Sequence, residues 1–491
     1  VARFEVRGGT TYVRPTHTTF CVAPRNGPES FCRSGRKPNI MLAAAAIISR
    51  NAFVESLRQP IFLIVVLGVG VLQLLNVWSA AYSMGYTDTS EVSGDNKVAL
   101  DIGLSTIFVA GMLLSALTAT AVISREIEAK TVLTVVSKPV PRFAVILGKF
   151  TGVSGAITLA TLCMVAFLLF GVRHGVMSTS ADELDIPVLA FSLTAVFLAI
   201  TVGAVCNFLY GWSFPQTAIV VLTPALIVAY IAVLVISPKW ELQAITKDFK
   251  PQVTIACLAM LMAILVLTSV AVAASTRLGQ VMTIAACAGV FLFGLLSNHL
   301  VGRHAFNNEP VARVLSVSPA GASDADFKKP GDTYDLRLDA PPKRPLRPGS
   351  SIYYGDNPNG FRLSVPPFAP FQGDPADRAG SIGPGSPPAL ISIAAERDSV
   401  SIRLVGAEPL RTERPPRVDD YLFLTPTRVN QSALVCWALI PNMHVFWLLD
   451  AITQTHKVPA SHLALLAAYT ATQIGAMLSL ATILFQRRDV G

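Results

Sequence analysis

The sequence predicts a polytopic bundle of membrane-spanning helices interrupted by one small β-rich domain. Three observations predict it. Only 14% of the 491 residues are charged and 52% are hydrophobic, against roughly 25% charged in a soluble domain. The apolar residues are gathered into uncharged runs of about the 20 residues needed to cross hydrocarbon. Finally, 19 of the 33 prolines fall between Arg303 and Asn430, where the composition turns abruptly polar.

Val1–Ile40 carries seven basic residues against Glu5 and Glu29 and has no periodicity, so residues 1–40 are expected to be a disordered basic tail or a mis-assigned start. Met41 then opens MLAAAAIISRNAFVESLRQP, which reads as an amphipathic helix leading into the first span. Spans are predicted near Pro60–Tyr82, Ile102–Ile123, Thr151–Val172, Ile186–Tyr210, Thr217–Ile236, Val253–Ala274, Val281–Leu300 and His462–Phe485. Ala433–Ala451 is also apolar, but Pro441, Asn442 and His444 interrupt its centre.

Lys and Arg in the short loops set the orientation. Counting from Met41, one side collects Arg50, Arg58, Arg125, Lys130, Lys138, Arg142, Lys149, Arg277, Arg487 and Arg488, ten in all. The other has Lys97, Arg173, Lys239, Lys247 and Lys250, diluted by acids such as Asp182, Glu183 and Asp185. The ten-residue side is expected to be cytoplasmic. Seven spans then leave the chain outside after Leu300. The basic end at Arg487 and Arg488 can return only if a single span follows, so Ala433–Ala451 is expected to be re-entrant or interfacial and the total eight. The expected organisation is a membrane core over 41–302 with a cytoplasmic loop at 124–150, an extracytoplasmic domain over 303–430, and a re-entrant segment with the last span over 431–491.

Short runs at Val311–Val317, Tyr334–Leu338, Ser351–Tyr354, Phe361–Val365 and Ser399–Val405 read as strands between Pro/Gly clusters, with a turn at Asp356–Gly360. The insertion has no cysteine, so no disulfide can close it.

The hydrophobic stretches of the first seven spans hold no Asp, Glu, Lys or Arg; Gln73, Asn76, Asn207 and His299 are their strongest polar groups. An ion-driven carrier normally buries ionisable relays despite about 2.5–3.5 kcal/mol each on insertion scales, so energy for transport would come from elsewhere. Asn76 and Asn207 are candidates to line a substrate path, or simply to bond a neighbouring helix. The sequence has no GxxxxGK[ST] phosphate loop and no HExxH, and His299 and His304 are poorly spaced for a shared metal. Gly152-Val153-Ser154-Gly155 falls short of a nucleophile elbow, and Gly148 with Gly152 reads as close helix packing. No catalytic residue, metal site or cofactor is expected in this chain.

Ser124–Phe150 (SREIEAKTVLTVVSKPVPRFAVILGKF) is too long and too patterned for a plain connection. Ser124 can cap a helix, Glu126 and Lys130 form an i,i+4 pair, and Pro139 and Pro141 force a break before Arg142. A short helix along the cytoplasmic surface is expected. From Arg125-Glu126 through Thr131, Leu133, Ser137, Lys138, Pro139, Val140, Arg142 and Gly148-Lys149-Phe150, the segment resembles the hallmark stretch of type-2 ATP-binding-cassette (ABC) transporter permeases. Ser275-Thr276-Arg277-Leu278 followed by Phe293-Gly294-Leu295-Leu296 resembles a later span pair of one bacterial subgroup. Pro441-Asn442, Asp450-Ala451 and Phe485-Gln486-Arg487-Arg488-Asp489 resemble the family's C-terminal end.

That resemblance implies the permease subunit of an ABC exporter in the cytoplasmic (inner) membrane, not itself an enzyme, with ATP and Mg bound by a separate ABC ATPase. It implies a coupling surface with Arg125, Glu126, Glu128, Lys130, Lys138 and Arg142, a paired permease or homodimer, and a connecting helix with Arg50, Asn51, Glu55 and Arg58. Eight spans instead of six, and the insertion of about 130 residues, depart from the family pattern. The alternative is a membrane-anchored scaffold displaying an extracytoplasmic binding domain, with Tyr353, Tyr354, Phe361, Phe368 and Phe371 as its contact set. The net charge of +8 falls to +3 without the first forty residues. The basic balance therefore reflects orientation in the bilayer and not a nucleic-acid partner.

Overall fold

The computed structural model describes residues 38–79, 94–128, 141–176, 184–320, 327–383, 386–448 and 458–486. Of 38–41, 78–79, 94–95, 125–128 and 378–379 it describes the backbone alone. Among the described residues, eight helices are long and apolar enough to cross a membrane, as expected from the sequence.

Helix α1 (Pro38–Leu57) ends in a short break at Arg58 and Gln59 before α2 (Pro60–Ser79). The bundle continues through α3 (Gly94–Glu128), α4 (Arg142–His174), α5 (Ile186–Tyr210), α6 (Phe214–Val235), α7 (Pro251–Ser275) and α8 (Gln280–Ser297), which runs on through a π turn to Ala305. After the inserted domain come the nine-residue α9 (Gln431–Leu439) and the last span, α10 (Ala460–Gln486). The eight spans alternate in direction. The first therefore starts and the eighth finishes at one end of the bundle, the arginine end, where Arg58, Arg142 and Arg277 lie; the inserted domain leaves from the other.

Lipid offers backbone and hydroxyl groups no hydrogen bonds, so each helix must satisfy its own. On α3, Ser115, Thr118 and Thr120 bond the carbonyls of Gly111, Leu114 and Ala116 four residues back. Ser115 also meets Thr268 of α7 at 2.9 Å. Nearby, a Cβ on Gly111 would stand 2.7 Å from Ile264, which sets how closely α3 and α7 approach. α7 has no charged side chain and is buried along most of its length, making it the centre of the bundle. Turns use local chemistry: Gly211 takes the left-handed conformation (φ 67°) that ends α5, and Asp185 caps its start by accepting from Val188 N.

Two expectations, one about α3 and one about α4, are corrected. Ser124 does not cap a new helix: it is buried inside α3, whose 35 residues run unbroken to Glu128. At 1.5 Å per residue α3 is about 52 Å long and the 33-residue α4 about 50 Å, well beyond the roughly 30 Å of hydrocarbon. The third span also includes Lys149, which the sequence reading assigned to a loop.

Ala433–Ala451 does not form a span. α9 has nine residues, about 13 Å, and Ile440 before Pro441 adopts extended backbone, as a residue preceding proline prefers. The chain then makes a 3-10 turn over Met443–Phe446. Asn442 Nδ2 donates to Asn298 Oδ1 (2.8 Å), Tyr469 Oη accepts from Asn442 N (2.8 Å), and Gln473 Nε2 donates to Ala438 O (3.2 Å). These bonds hold the segment against α8 and α10.

The inserted domain is a closed antiparallel barrel on a two-stranded stem. The stem pairs β1 (Phe306–Asn307) with β8 (Arg428–Val429). The barrel contains β2 (Ala312–Pro319), β3 (Thr333–Leu338), β4 (Tyr353–Gly355), β5 (Ala389–Ala395), β6 (Ser399–Val405) and β7 (Tyr421–Phe423), in the spatial order β4-β7-β2-β3-β6-β5. Its ends are joined by a bridge between Ser351 and Ile391, with Ile352 N donating to Leu390 O and Ser392 N to Ser350 O. Alternation fills the interior: Tyr334, Leu336 and Leu338 of β3 and Val400, Ile402 and Leu404 of β6 are buried. Phe361–Val365 is not a strand and contributes only a bridge from Leu363 to Gly355, while β5 and β7 were not anticipated. Tyr353 and Tyr354 belong to the core, 2% and 0% exposed, and Phe368 stacks on Tyr353 with ring centroids 4.6 Å apart. They are not available as a contact set.

Candidate functional site

The arginine end is built around close packing of α1 on α4. Gly148 faces Ala45 and Ile48, Gly152 faces Ser49 and Ala52, and Gly155 faces Phe53, so the two helices run parallel with almost no space between them. A Cβ on Gly148 would stand 2.8 Å from Ala45 O, and one on Gly152 2.7 Å from the Ala52 methyl. The small-residue spacing therefore serves helix approach, as the sequence indicated.

Beside these glycines Lys149 is buried, 7% exposed, and its Nζ donates to the Val122 carbonyl of α3 at 2.6 Å. A hydrogen bond with a charged donor is stronger and more directional than a neutral one. One side chain thus joins α3 and α4 about two turns inside their ends at the arginine end of the bundle. The end of α10 is held in a similar way: Arg142 Nη1 donates to Gln486 O (2.8 Å) and Arg277 Nε to Leu484 O (3.0 Å). Arg58 Nε donates to Gln216 Oε1 (3.0 Å), tying the α1–α2 break to the first turn of α6. Three basic residues read from the sequence as orientation signals thus also fasten helix ends.

Among the sequence-predicted coupling residues, Arg142 is placed at the head of α4. Arg125, Glu126 and Glu128 lie in the last turn of α3, where only the backbone is described, while Lys130 and Lys138 lie outside the described residues, as does most of the expected surface helix. The two candidate path residues are not brought together. Asn76 is buried near the domain end of α2 and donates to Ala99 O at 2.6 Å, one turn from Gln73, which donates to Gly103 O at 2.9 Å. Asn207 lies near the arginine end of α5 and donates to Trp212 O at 2.6 Å. Each amide bonds a main-chain carbonyl.

At the domain end, sequence reasoning missed an ionic knot. Arg173, its side chain 9% exposed, meets Asp185 at 2.7 Å and Asp248 at 3.1 Å, joining α4, the cap of α5 and the loop before α7. Below it an apolar groove of about 320 Å³ runs between α2, α4 and α5, past Gly70, Phe167 and Gly171 to His174. A second cavity of about 250 Å³ lies where the inserted domain meets the bundle, among Asn298, Arg303, Asn357, Asn359, Phe361 and Trp437. Phe306, Phe361 and Trp437 form an aromatic cluster there, the closest pair 4.7 Å apart between centroids.

Eight apolar spans and a helix pressed along the third membrane helix of the chain define a multi-pass membrane protein. Residues 46–206, from α1 to the end region of α5, match the family model described as ABC-2 family transporter protein. Over these residues the membrane core is similar to the ABC-2 permeases, a family of membrane transport components. Permeases of this family generally pair with an ATP-binding subunit. No curated protein and no solved structure matches the chain.

Proposed function

We propose that this chain is the permease subunit of an ATP-driven exporter in the cytoplasmic membrane, working as one of a pair and driven by a separate ABC ATPase that binds ATP and Mg. The observation that carries this reading is the family match over residues 46–206, which includes the whole of Ser124–Phe150. Its support is geometric: α3 and α4 are both far longer than the bilayer core and are joined by Lys149 and Val122 about two turns from the segment between them. A push on the segment between them would be conveyed along both helices, as coupling requires an element that two sites can bias.

On this reading the arginine end is cytoplasmic, in accord with the count of basic residues, and the barrel is extracytoplasmic. Arg125, Glu126, Glu128, Lys130, Lys138 and Arg142 form the surface toward the ATPase, and Asn76 and Asn207 mark polar positions along the path. Coexpression with the ATPase tests it. Glu126→Ala is expected to lower transport and stimulated ATP hydrolysis while leaving membrane insertion intact. Unchanged coupling in an Arg125/Glu126 double variant would remove the loop from the mechanism.

A further inference from the structure

The cavity at the foot of the barrel gathers polar groups from three regions distant in sequence. Asn298 and Arg303 come from the end of the α8 span, Asn357, Asn359 and Phe361 from the turn after β4, and Trp437 and Asn442 from α9 and the break that follows it. Four of these are asparagines. Asn442 Nδ2 donates to Asn298 Oδ1, and Asn357 Oδ1 accepts from Asn359 N. The side chains of Asn359 and the Nδ2 group of Asn298 have no hydrogen-bond partner among the described residues. Trp437 Nε1 is buried and likewise unpartnered among them. A buried N–H without an acceptor is costly and calls for one. Phe361, 42% exposed, supplies an apolar surface at the same place.

We infer that this cavity binds one neutral sugar ring. Sugar hydroxyls act as donor and acceptor at once, and so does the carboxamide, which offers two N–H groups and an acceptor oxygen. A ring of hydroxyls therefore suits a ring of asparagines, while the C–H face of the sugar suits an aromatic surface such as Phe361. An anionic ligand is a poorer fit, because Arg303 is the one cation in the lining and four uncharged amides surround it. A lipid tail would leave the Asn359 side chain, Asn298 Nδ2 and the Trp437 N–H without partners. The size also selects: about 250 Å³ lies below the roughly 300–1,000 Å³ of drug-sized pockets, which suits one ring. The site lies where a span ends, within an aromatic cluster of the kind that marks a membrane interface.

The experiment uses the full chain in lipid nanodiscs, without sugar-headed detergent, and saturation-transfer difference NMR with the methyl glycosides of glucose, galactose, mannose and N-acetylglucosamine. At least one is expected to give a saturable signal. Trp437→Phe, which keeps a ring and removes the N–H, and Asn359→Ala should each weaken it by about tenfold, the size of one lost hydrogen bond. Arg344→Ala, at a neighbouring cavity, should leave it unchanged. Asn359→Ala removes no described hydrogen bond and keeps the test decisive even if Trp437→Phe misfolds. Absence of saturable binding by all four glycosides, binding that neither variant alters, or displacement of the glycoside by a short neutral peptide with higher affinity would each overturn the assignment.

Discussion

Lys149 donates to the main-chain carbonyl of Val122 from inside the bundle, at 2.6 Å. A charge-assisted hydrogen bond thus adds to the apolar packing that sets the spacing of the two longest described helices toward the arginine end. An apolar contact tolerates sliding, whereas a charge-assisted hydrogen bond has a defined length and direction.

Lys149→Met tests this relationship because methionine fills similar volume without the charge. Hydrogen bonds to charged groups contribute about 1.5–3 kcal/mol. The variant should therefore unfold at lower temperature in nanodiscs and, paired with its ATPase, show weaker stimulation of ATP hydrolysis by substrate. Lys149→Arg should recover part of the stability. A Met variant as stable as the parent would show that this contact does not hold α3 to α4.

Gly152→Leu should force α1 away from α4, since even a methyl group there meets the backbone and side chains of Ser49 and Ala52. Overpacking of a close contact costs typically about 1–3 kcal/mol. Thermal unfolding should reveal the loss, and limited proteolysis should cut α1 sooner. Gly289→Leu is the matched control, because nothing lies within 4 Å of a Cβ at that position.

The barrel loop before β7 depends on Arg414 and Asp420, which meet through two hydrogen bonds of 2.6 Å each, with Arg417 N also donating to the buried carboxylate. Removing one member of a buried pair leaves the other uncompensated, typically a loss of about 3–5 kcal/mol; partial exposure of Arg414 lowers that to about 2–3 kcal/mol here. Asp420→Ala should unfold the inserted domain at lower denaturant concentration while the helical signal of the bundle persists.

Alkali should weaken the same domain. Burial raises the Tyr353 and Tyr354 phenols above the ordinary tyrosine value. Above about pH 10 the unfolded chain releases protons that the folded barrel still holds, so their contribution is full below that pH and declines as pH rises toward the folded values. Absorbance at the tyrosinate band should show a late phase coincident with barrel unfolding. Tyr353→Phe and Tyr354→Phe should each shrink that phase.

Much of this was legible in the residues. Eight spans followed from uncharged runs of bilayer length, and the basic end at Arg487 and Arg488 kept Ala433–Ala451, interrupted by Pro441, Asn442 and His444, from being counted as a ninth. Gly148 and Gly152 announced close approach because spacing alone places them on one helix face. β3 and β6 showed their alternation. β5 did not, since Ala389–Ile391 are buried in succession and erase the period of two, and β7 is three residues long, too short to display one. Lys149 looked like a loop residue because sequence hydropathy cannot register that a neighbouring helix presents a carbonyl to it. Arg173, Asp185 and Asp248 come from separate segments, and only folding brings their charges together.

The stem brings the two ends of the inserted domain together. Asn430 N donates to Ala305 O at 2.9 Å, so the chain departs from the bundle and rejoins it at nearly the same point. A segment whose two ends coincide can be gained, lost or exchanged in a gene without altering the path of the chain on either side. A change of length or sequence within the barrel therefore leaves the connections of the bundle beneath it unaltered.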